Sequence, residues 1–186
     1  MAEPAHRPAR DVDPFTLRRA QRGDAGALGE VVRALTPPVY SLVGRLCAGR
    51  RDLVDDVAQE AFLKIVGALP RFDVAGPARV STWAVTIATR TAIDALRRTR
   101  RTVEPLDAEP AAADLGRAAE DRDLGRRVER AMAALPEDQR AVLVLRAYHD
   151  LDYDEIARAL NVPEGTVKSR LGRARIALRE AMGDRP

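Results

Sequence analysis

The chain has 186 residues, room for one ordinary domain or for two small ones with separate cores. Hydrophobic residues make up 46%, charged residues 32% and aromatics only 4%, a mixture that suits amphipathic helices and argues against an all-β fold. The net charge is +3, a single cysteine excludes an intramolecular disulfide or a multi-cysteine zinc centre, and no run approaches the roughly 18 apolar residues of a membrane span.

The first dozen residues are rich in Pro, Arg and Ala without periodicity, so residues 1–12 are expected to form a tail. They carry no apolar run of a secretory signal, and the expected location is the cytoplasm. From Pro14 the pattern turns helical. Phe15, Leu17 and Ala20 lead to Gly23, and Ala27, Leu28, Val31, Val32 and Leu35 then recur at helical spacing as far as Pro37 and Pro38. The two prolines predict a break, with a further helix from Val39 to near Gly49. Cys47 lies in this apolar run, where it reads as a small core hydrophobe.

Residues 52–66 give the clearest helix of the first half. Leu53, Val57, Ala61 and Ile65 share a stripe that Val54, Ala58 and Phe62 widen, while Asp52, Asp56, Gln59 and Glu60 fall off it. Residues 70–80 contain two prolines and Gly76 and predict a loop. Ser81 is the expected cap of the next helix, in which Trp83, Ile87 and Ile93 supply apolar contacts before Arg97, Arg98, Arg100 and Arg101.

Residues 102–123 reverse the charge, with Glu104, Asp107, Glu109, Asp114, Glu120, Asp121 and Asp123 among prolines and alanines, which predicts an acidic flexible linker. Helical order resumes with Leu124, Val128, Met132 and Leu135, and Pro136 opens another helix. The expected division is therefore a tail (1–12), a helical domain (13–101), the linker (102–123) and a second helical domain (124–186).

The strongest local signal is YDEIARALNVPEGTVKSRLGRARIAL, residues 153–178, which has the form of a helix-turn-helix. Ile156, Ala157 and Leu160 give the first helix its buried edge, Asn161 suits a left-handed exit, and Pro163 suits the next first turn. Val167, Leu171, Ala174 and Leu178 form the inner stripe of the second helix. Thr166, Ser169, Gly172 and Arg173 then face outward, flanked by Lys168, Arg170 and Arg175. Small or forked polar groups at the centre meet base edges, and flanking cations meet phosphates. A solvated charged helix is the plain alternative, but it does not explain why turn, stripe and basic flanks coincide.

Other constellations fall short. Asp150, Asp152 and Asp154 mimic the start of a calcium loop, but Glu155 stands where that loop needs Gly and Asn161 where a bidentate Glu should close it. His149 has no second His or Cys at metal spacing. No phosphate-binding glycine loop occurs and no nucleophile is set beside a histidine, so no cofactor and no enzymatic activity are expected.

Taken together, the segments resemble the extracytoplasmic-function group of RNA polymerase sigma factors. DDVAQEAFLKIV (55–66) resembles that family's polymerase-binding helix, STWAVTIATRTAIDALRR (81–98) its promoter-melting segment, and LPEDQRAVLVLRAYHDLDYDEIARALNVPEGTVKSRLGRAR (135–175) its C-terminal promoter-recognition domain. The resemblance implies an all-α fold of two small helical domains, the first reading the minus-ten element and the second the minus-thirty-five element. It further implies binding of core RNA polymerase through the β′ and β subunits, and an anti-sigma partner. On this resemblance Asp56, Gln59 and Glu60 match the contact surface for the β′ coiled coil. Phe72, Arg90, Arg97 and Arg98 are the candidate minus-ten contacts; Thr166, Lys168, Ser169, Arg170, Arg173 and Arg175 are the candidate minus-thirty-five contacts. Two positions depart from the pattern: Arg90 lies in a stretch where many relatives carry Asn, and Gly172 stands where some place a large side chain. The alternatives are a helix-turn-helix regulator that binds an operator alone, and a protein-binding adaptor that keeps the same shape.

Overall fold

In the computed structural model, residues 11–48, 50–102 and 119–183 are described, and all regular structure among them is helical. The expectations for residues 1–10 and for linker acids Glu104, Asp107, Glu109 and Asp114 lie outside the described residues. Four helices form the first group: α1 (Pro14–Gln21), α2 (Ala25–Leu46), α3 (Arg51–Ala68) and α4 (Val80–Thr102). A single 3-10 turn, Leu69–Arg71, follows α3. The second group comprises α5 (Ala119–Ala134), α6 (Glu137–Tyr148), α7 (Tyr153–Leu160) and α8 (Glu164–Met182). Helix α5 thus begins before Leu124, inside the stretch expected to be linker.

Side-chain caps set the entry points. Asp13 accepts from the Phe15 and Thr16 amides at the start of α1, and Asp24 from the Ala27 amide at the start of α2. Arg19 ties the two helices by donating to Asp24 at 2.6 Å. The predicted break at Pro37 and Pro38 does not occur: α2 runs through both prolines. Proline removes two backbone donors there, but its fixed φ is compatible with a helix, and Leu35, Val39, Leu42 and Val43 on either side are all buried. Burial of that stripe outweighs the lost bonds. Ser81 is likewise not the cap of α4, which already starts at Val80; the Ser81 amide donates to Asp11 Oδ1 at 3.3 Å.

Helices α2, α3 and α4 pack on one another around Val31, Leu35, Leu42, Val57, Ala61, Ile65, Val85 and Ala88, with α1 laid across α2. The expected stripe of α3 is buried at Val57, Ala58, Ala61 and Ile65, with Leu53, Val54 and Phe62 half-buried beside it. Cys47 is a core residue, and burial pushes its thiol up to about 11. In the second group α8 is the hub, packed against α5, α6 and α7 over Val144, Ile156, Val167, Leu171 and Ala174.

The two groups touch along two seams, α2 against α6 and α4 against α7. At the first, the buried Arg140 donates Nη1 to the Leu46 carbonyl at 2.8 Å and Nη2 to the Ala133 and Leu135 carbonyls at 2.9 Å each. It thereby supplies donors to the C-terminal ends of both α2 and α5. Arg45 lies 3.9 Å over the Tyr148 ring at the same seam.

Candidate nucleic-acid interface

The helix-turn-helix is built from local chemistry. Asp152 accepts from the Glu155 amide at 2.7 Å and Glu155 accepts from the Asp152 amide at 2.9 Å, a reciprocal capping box that starts α7. The acids that mimic a calcium loop are thus capping and pairing groups: Asp154 pairs with Arg158 at 2.8 Å and Asp150 with Arg146 at 3.6 Å. No group of side chains fit to hold a metal ion occurs among the described residues. Asn161 ends α7 at φ 53°, the left-handed exit expected of it, and Pro163 stands at the N-cap position of α8, one residue before the first turn expected of it, with no side-chain capping bond.

Helix α8 buries Val167, Leu171 and Ala174, with Leu178 half-buried. Lys168, Ser169, Gly172, Arg173 and Arg175 are exposed on the other side, while Thr166 is half-buried at the helix start. Ser169 Oγ donates to the Thr166 carbonyl at 3.0 Å and Arg173 Nε to the Ser169 carbonyl at 3.3 Å, so the central groups lie along the helix surface. Lys168 pairs with Glu164 at 2.7 Å, and that carboxylate raises its pKa above the ordinary lysine value. Arg170 differs from its neighbours: it is half-buried and donates to Asp138 on α6 at 3.0 Å, which makes it a brace within the second group.

Helix α4 carries Arg90, Arg97 and Arg98, all exposed. Arg98 donates to Glu60 on α3 at 2.8 Å, whereas Arg90 Nε donates to the Ala159 carbonyl at 2.9 Å and Nη2 to the Arg158 carbonyl at 2.6 Å, both on α7. Phe72 and Trp83 are half-buried and meet at 4.9 Å between ring centroids. Gln21 pins the start of the intervening loop by donating to the Leu69 carbonyl at 3.0 Å and the Phe72 carbonyl at 2.7 Å.

On α3, Asp56 and Gln59 are exposed, while Glu60 is half-buried and paired with both Lys64 and Arg98 at 2.8 Å. Sequence reasoning missed Leu63, which is 70% exposed one helical turn beyond Gln59. Its signal was an apolar residue off the stripe, on the polar face of the same helix.

Residues 31–102 match the family described as Sigma-70 region 2, and residues 125–178 match that described as Sigma-70, region 4. The ECF RNA polymerase sigma factor SigW of Bacillus subtilis is 31% identical over 182 residues, covering 90% of this chain and 95% of that protein. The chain belongs to the extracytoplasmic-function RNA polymerase sigma factors. The sigma-E factor of Escherichia coli is 34% identical over 179 residues, 89% of this chain and 92% of its own length. Among solved structures, the fold is shared with the sigma factor RpoE of Bartonella quintana, solved with the anti-sigma factor NepR (TM-score 0.69, 21% identity, 85% of this chain and 98% of that one). It is shared also with CnrH, solved with the cytosolic domain of CnrY (TM-score 0.65, 24% identity, 94% and 99%). As a sigma factor, the chain directs RNA polymerase to promoters. No helix among the described residues is long and apolar enough to cross a membrane.

Proposed function

We propose that this sigma factor performs no chemistry of its own and divides its work among three surfaces. Asp56 and Gln59 on α3, with Glu60 beside them, dock core polymerase through the β′ coiled coil, and the β subunit receives the second domain. Phe72, Arg90, Arg97 and Arg98 hold the minus-ten strand. Thr166, Lys168, Ser169, Arg173 and Arg175, with Arg170 bracing behind them, read the minus-thirty-five duplex. The working units are residues 13–101 and 124–186, and the place of action is the cytoplasm. An anti-sigma factor completes the partner set, a reading supported by the fold relative RpoE, which was solved with the anti-sigma factor NepR.

The observation that carries the reading is the exposed row Lys168, Ser169, Arg173 and Arg175 above a fully buried Val167–Leu171–Ala174 stripe. Small and forked polar groups occupy the centre and cations the flanks, as groove reading requires. The exposed acids and amide of α3 count against an operator-binding regulator, which has no use for them. Run-off transcription from genomic fragments, with core polymerase in the presence and absence of the chain, tests it. Promoter-specific transcripts that need the chain are expected; operator binding without any such transcript would favour the stand-alone regulator.

A further inference from the structure

Phe15, Tyr40, Leu63 and Ile176 are large apolar side chains left open to solvent, and Ile176, 56% exposed, is the one carried by α8. Seven steps of about 100° bring it back to within about 20° of Ser169. It therefore lies in the middle of the exposed row, opposite the buried Val167, Leu171 and Ala174. The inner stripe continues through Leu178, which packs on the core, so α8 does not need Ile176 for its own packing.

The neighbours of Ile176 leave it uncovered. Gly172, one turn back, carries no side chain, and a Cβ at that position would meet open space. Arg173 leans the other way, its Nε donating to the Ser169 carbonyl at 3.3 Å. Lys168, Arg173, Arg175 and Arg179, all exposed, surround the row with positive charge, and Glu180, one turn beyond Ile176, ends it with a charge that phosphates repel. An apolar centre among cations fits the major groove, where phosphates line the walls and the thymine methyl is the apolar group among the base edges.

We propose that Ile176 is a specificity-determining residue of α8, which reads a thymine in the minus-thirty-five duplex by packing on its methyl group. The inference rests on the promoter reading given above and adds the base group that the third turn of the reading row selects. Ser169 and Ile176 are about 10.5 Å apart along the axis at about 1.5 Å per residue, or roughly three base pairs at about 3.4 Å each. The two ends of the row therefore read different pairs, with Arg173 between them. Cytosine in place of the thymine lacks the methyl and presents an amine that an aliphatic side chain leaves without an acceptor, so it is disfavoured on both counts. Gly172 serves the same contact, because a step without a side chain lets the helix backbone come close to the base edges.

Holoenzyme reconstituted from core polymerase and the full chain tests the contact on a promoter recovered by run-off transcription. Each thymine of the minus-thirty-five element, on either strand, is replaced in turn by deoxyuridine, which removes the methyl and keeps the pairing. At one position the replacement should weaken promoter binding about fourfold, the worth of one buried methyl group. Ile176→Ala, with helicity checked by circular dichroism, should bind the thymine promoter several-fold more weakly and show no response to deoxyuridine at that position. A methylated cytosine there should bind wild type better than plain cytosine, and Ile176→Ala should not tell the two apart. The contact is overturned if the element holds no thymine, if no replacement affects wild type, or if Ile176→Ala responds to deoxyuridine as wild type does. Loss of core-polymerase affinity in Ile176→Ala without DNA would overturn it too, by making Ile176 a protein-docking residue. Absence of promoter-specific transcription would instead overturn the promoter reading; intact transcription with binding indifferent to deoxyuridine would overturn the methyl contact alone.

Discussion

Glu60 accepts a hydrogen bond from Arg98 Nη2 at 2.8 Å, so a residue matched to the polymerase-docking surface is at the same time the tie between α3 and α4. Lys64 at 2.8 Å completes the arrangement, and the hydrogen bonds from Lys64 and then Arg98 hold the Glu60 carboxyl below its ordinary value of 4.5. Asp56, on the same helix face, is exposed.

The two acids should therefore respond differently to substitution. Asp56→Lys is expected to weaken core-polymerase binding with little change in the thermal midpoint. Glu60→Gln should cost up to about 1 kcal/mol of stability, as partly exposed pairs do. Because the folded pKa is depressed, the wild-type advantage is full above the ordinary value of 4.5 and is lost as pH falls through the folded pKa. Urea unfolding of wild type and Glu60→Gln between neutral and acid pH measures it, and a gap that widened toward acid would refute the pairing.

Arg140 presents a larger effect of another kind. Its guanidinium is buried and satisfies the carbonyls of Leu46, Ala133 and Leu135. Arg140→Met keeps much of the volume but leaves those carbonyls without donors, at a cost of roughly 2–4 kcal/mol. Arg140→Lys should recover only part, because an ammonium cannot span the three acceptors. Denaturant midpoints for the three proteins decide it; a stability loss under about 0.5 kcal/mol in Arg140→Met, within the range of ordinary surface changes, would remove Arg140 from the interdomain seam.

What could be read from the sequence follows from what kind of partner each residue has. Asn161 was legible because a left-handed exit is a local requirement that few residue types meet, and Pro163 marked the start of α8 to within one residue because its fixed φ suits a helix entry. The inner stripe of α8 was legible by periodicity. The seam between the helical groups was not, because Arg90 and Arg140 bind backbone carbonyls 69 and 94 positions away, acceptors that any residue offers. No complementary side chain marks either arginine's contact in the sequence. The path of α2 through Pro37 and Pro38 was illegible for a related reason: proline's local penalty is written in the sequence, while the burial that outweighs it is tertiary.

On α8 the division between base and phosphate contacts predicts two distinct phenotypes. Arg173 projects from the exposed face, where a bidentate base contact is worth about 1–3 kcal/mol of discrimination. Arg173→Ala should relax preference at one or two minus-thirty-five positions. Lys168 must leave Glu164 to meet a phosphate, so Lys168→Ala should weaken every promoter alike and lower the salt slope by about 0.9 per lost contact. A promoter library assayed at several salt concentrations separates them, and identical profiles for both variants would end the division.

Trp83 is the chain's one tryptophan and stands 4.9 Å from Phe72, which makes it a built-in reporter of the proposed minus-ten site. Both rings are half-buried, so the pair has an apolar contact on one side and solvent access on the other. Unpaired bases stack on such faces at about 1–3 kcal/mol per base. A minus-ten single strand should therefore shift or quench Trp83 emission with saturation, while a minus-thirty-five duplex should leave it unchanged. Phe72→Leu separates packing from stacking, because leucine fills much of the space between α3 and α4 but offers no ring. Its thermal midpoint should stay close to wild type while strand affinity falls by about tenfold, the equivalent of about 1.4 kcal/mol and within the range for one stacked base. Unchanged emission at saturating strand, together with wild-type affinity in Phe72→Leu, would assign Phe72 to the core alone. The minus-ten strand would then have to be held by the α4 arginines without an aromatic surface.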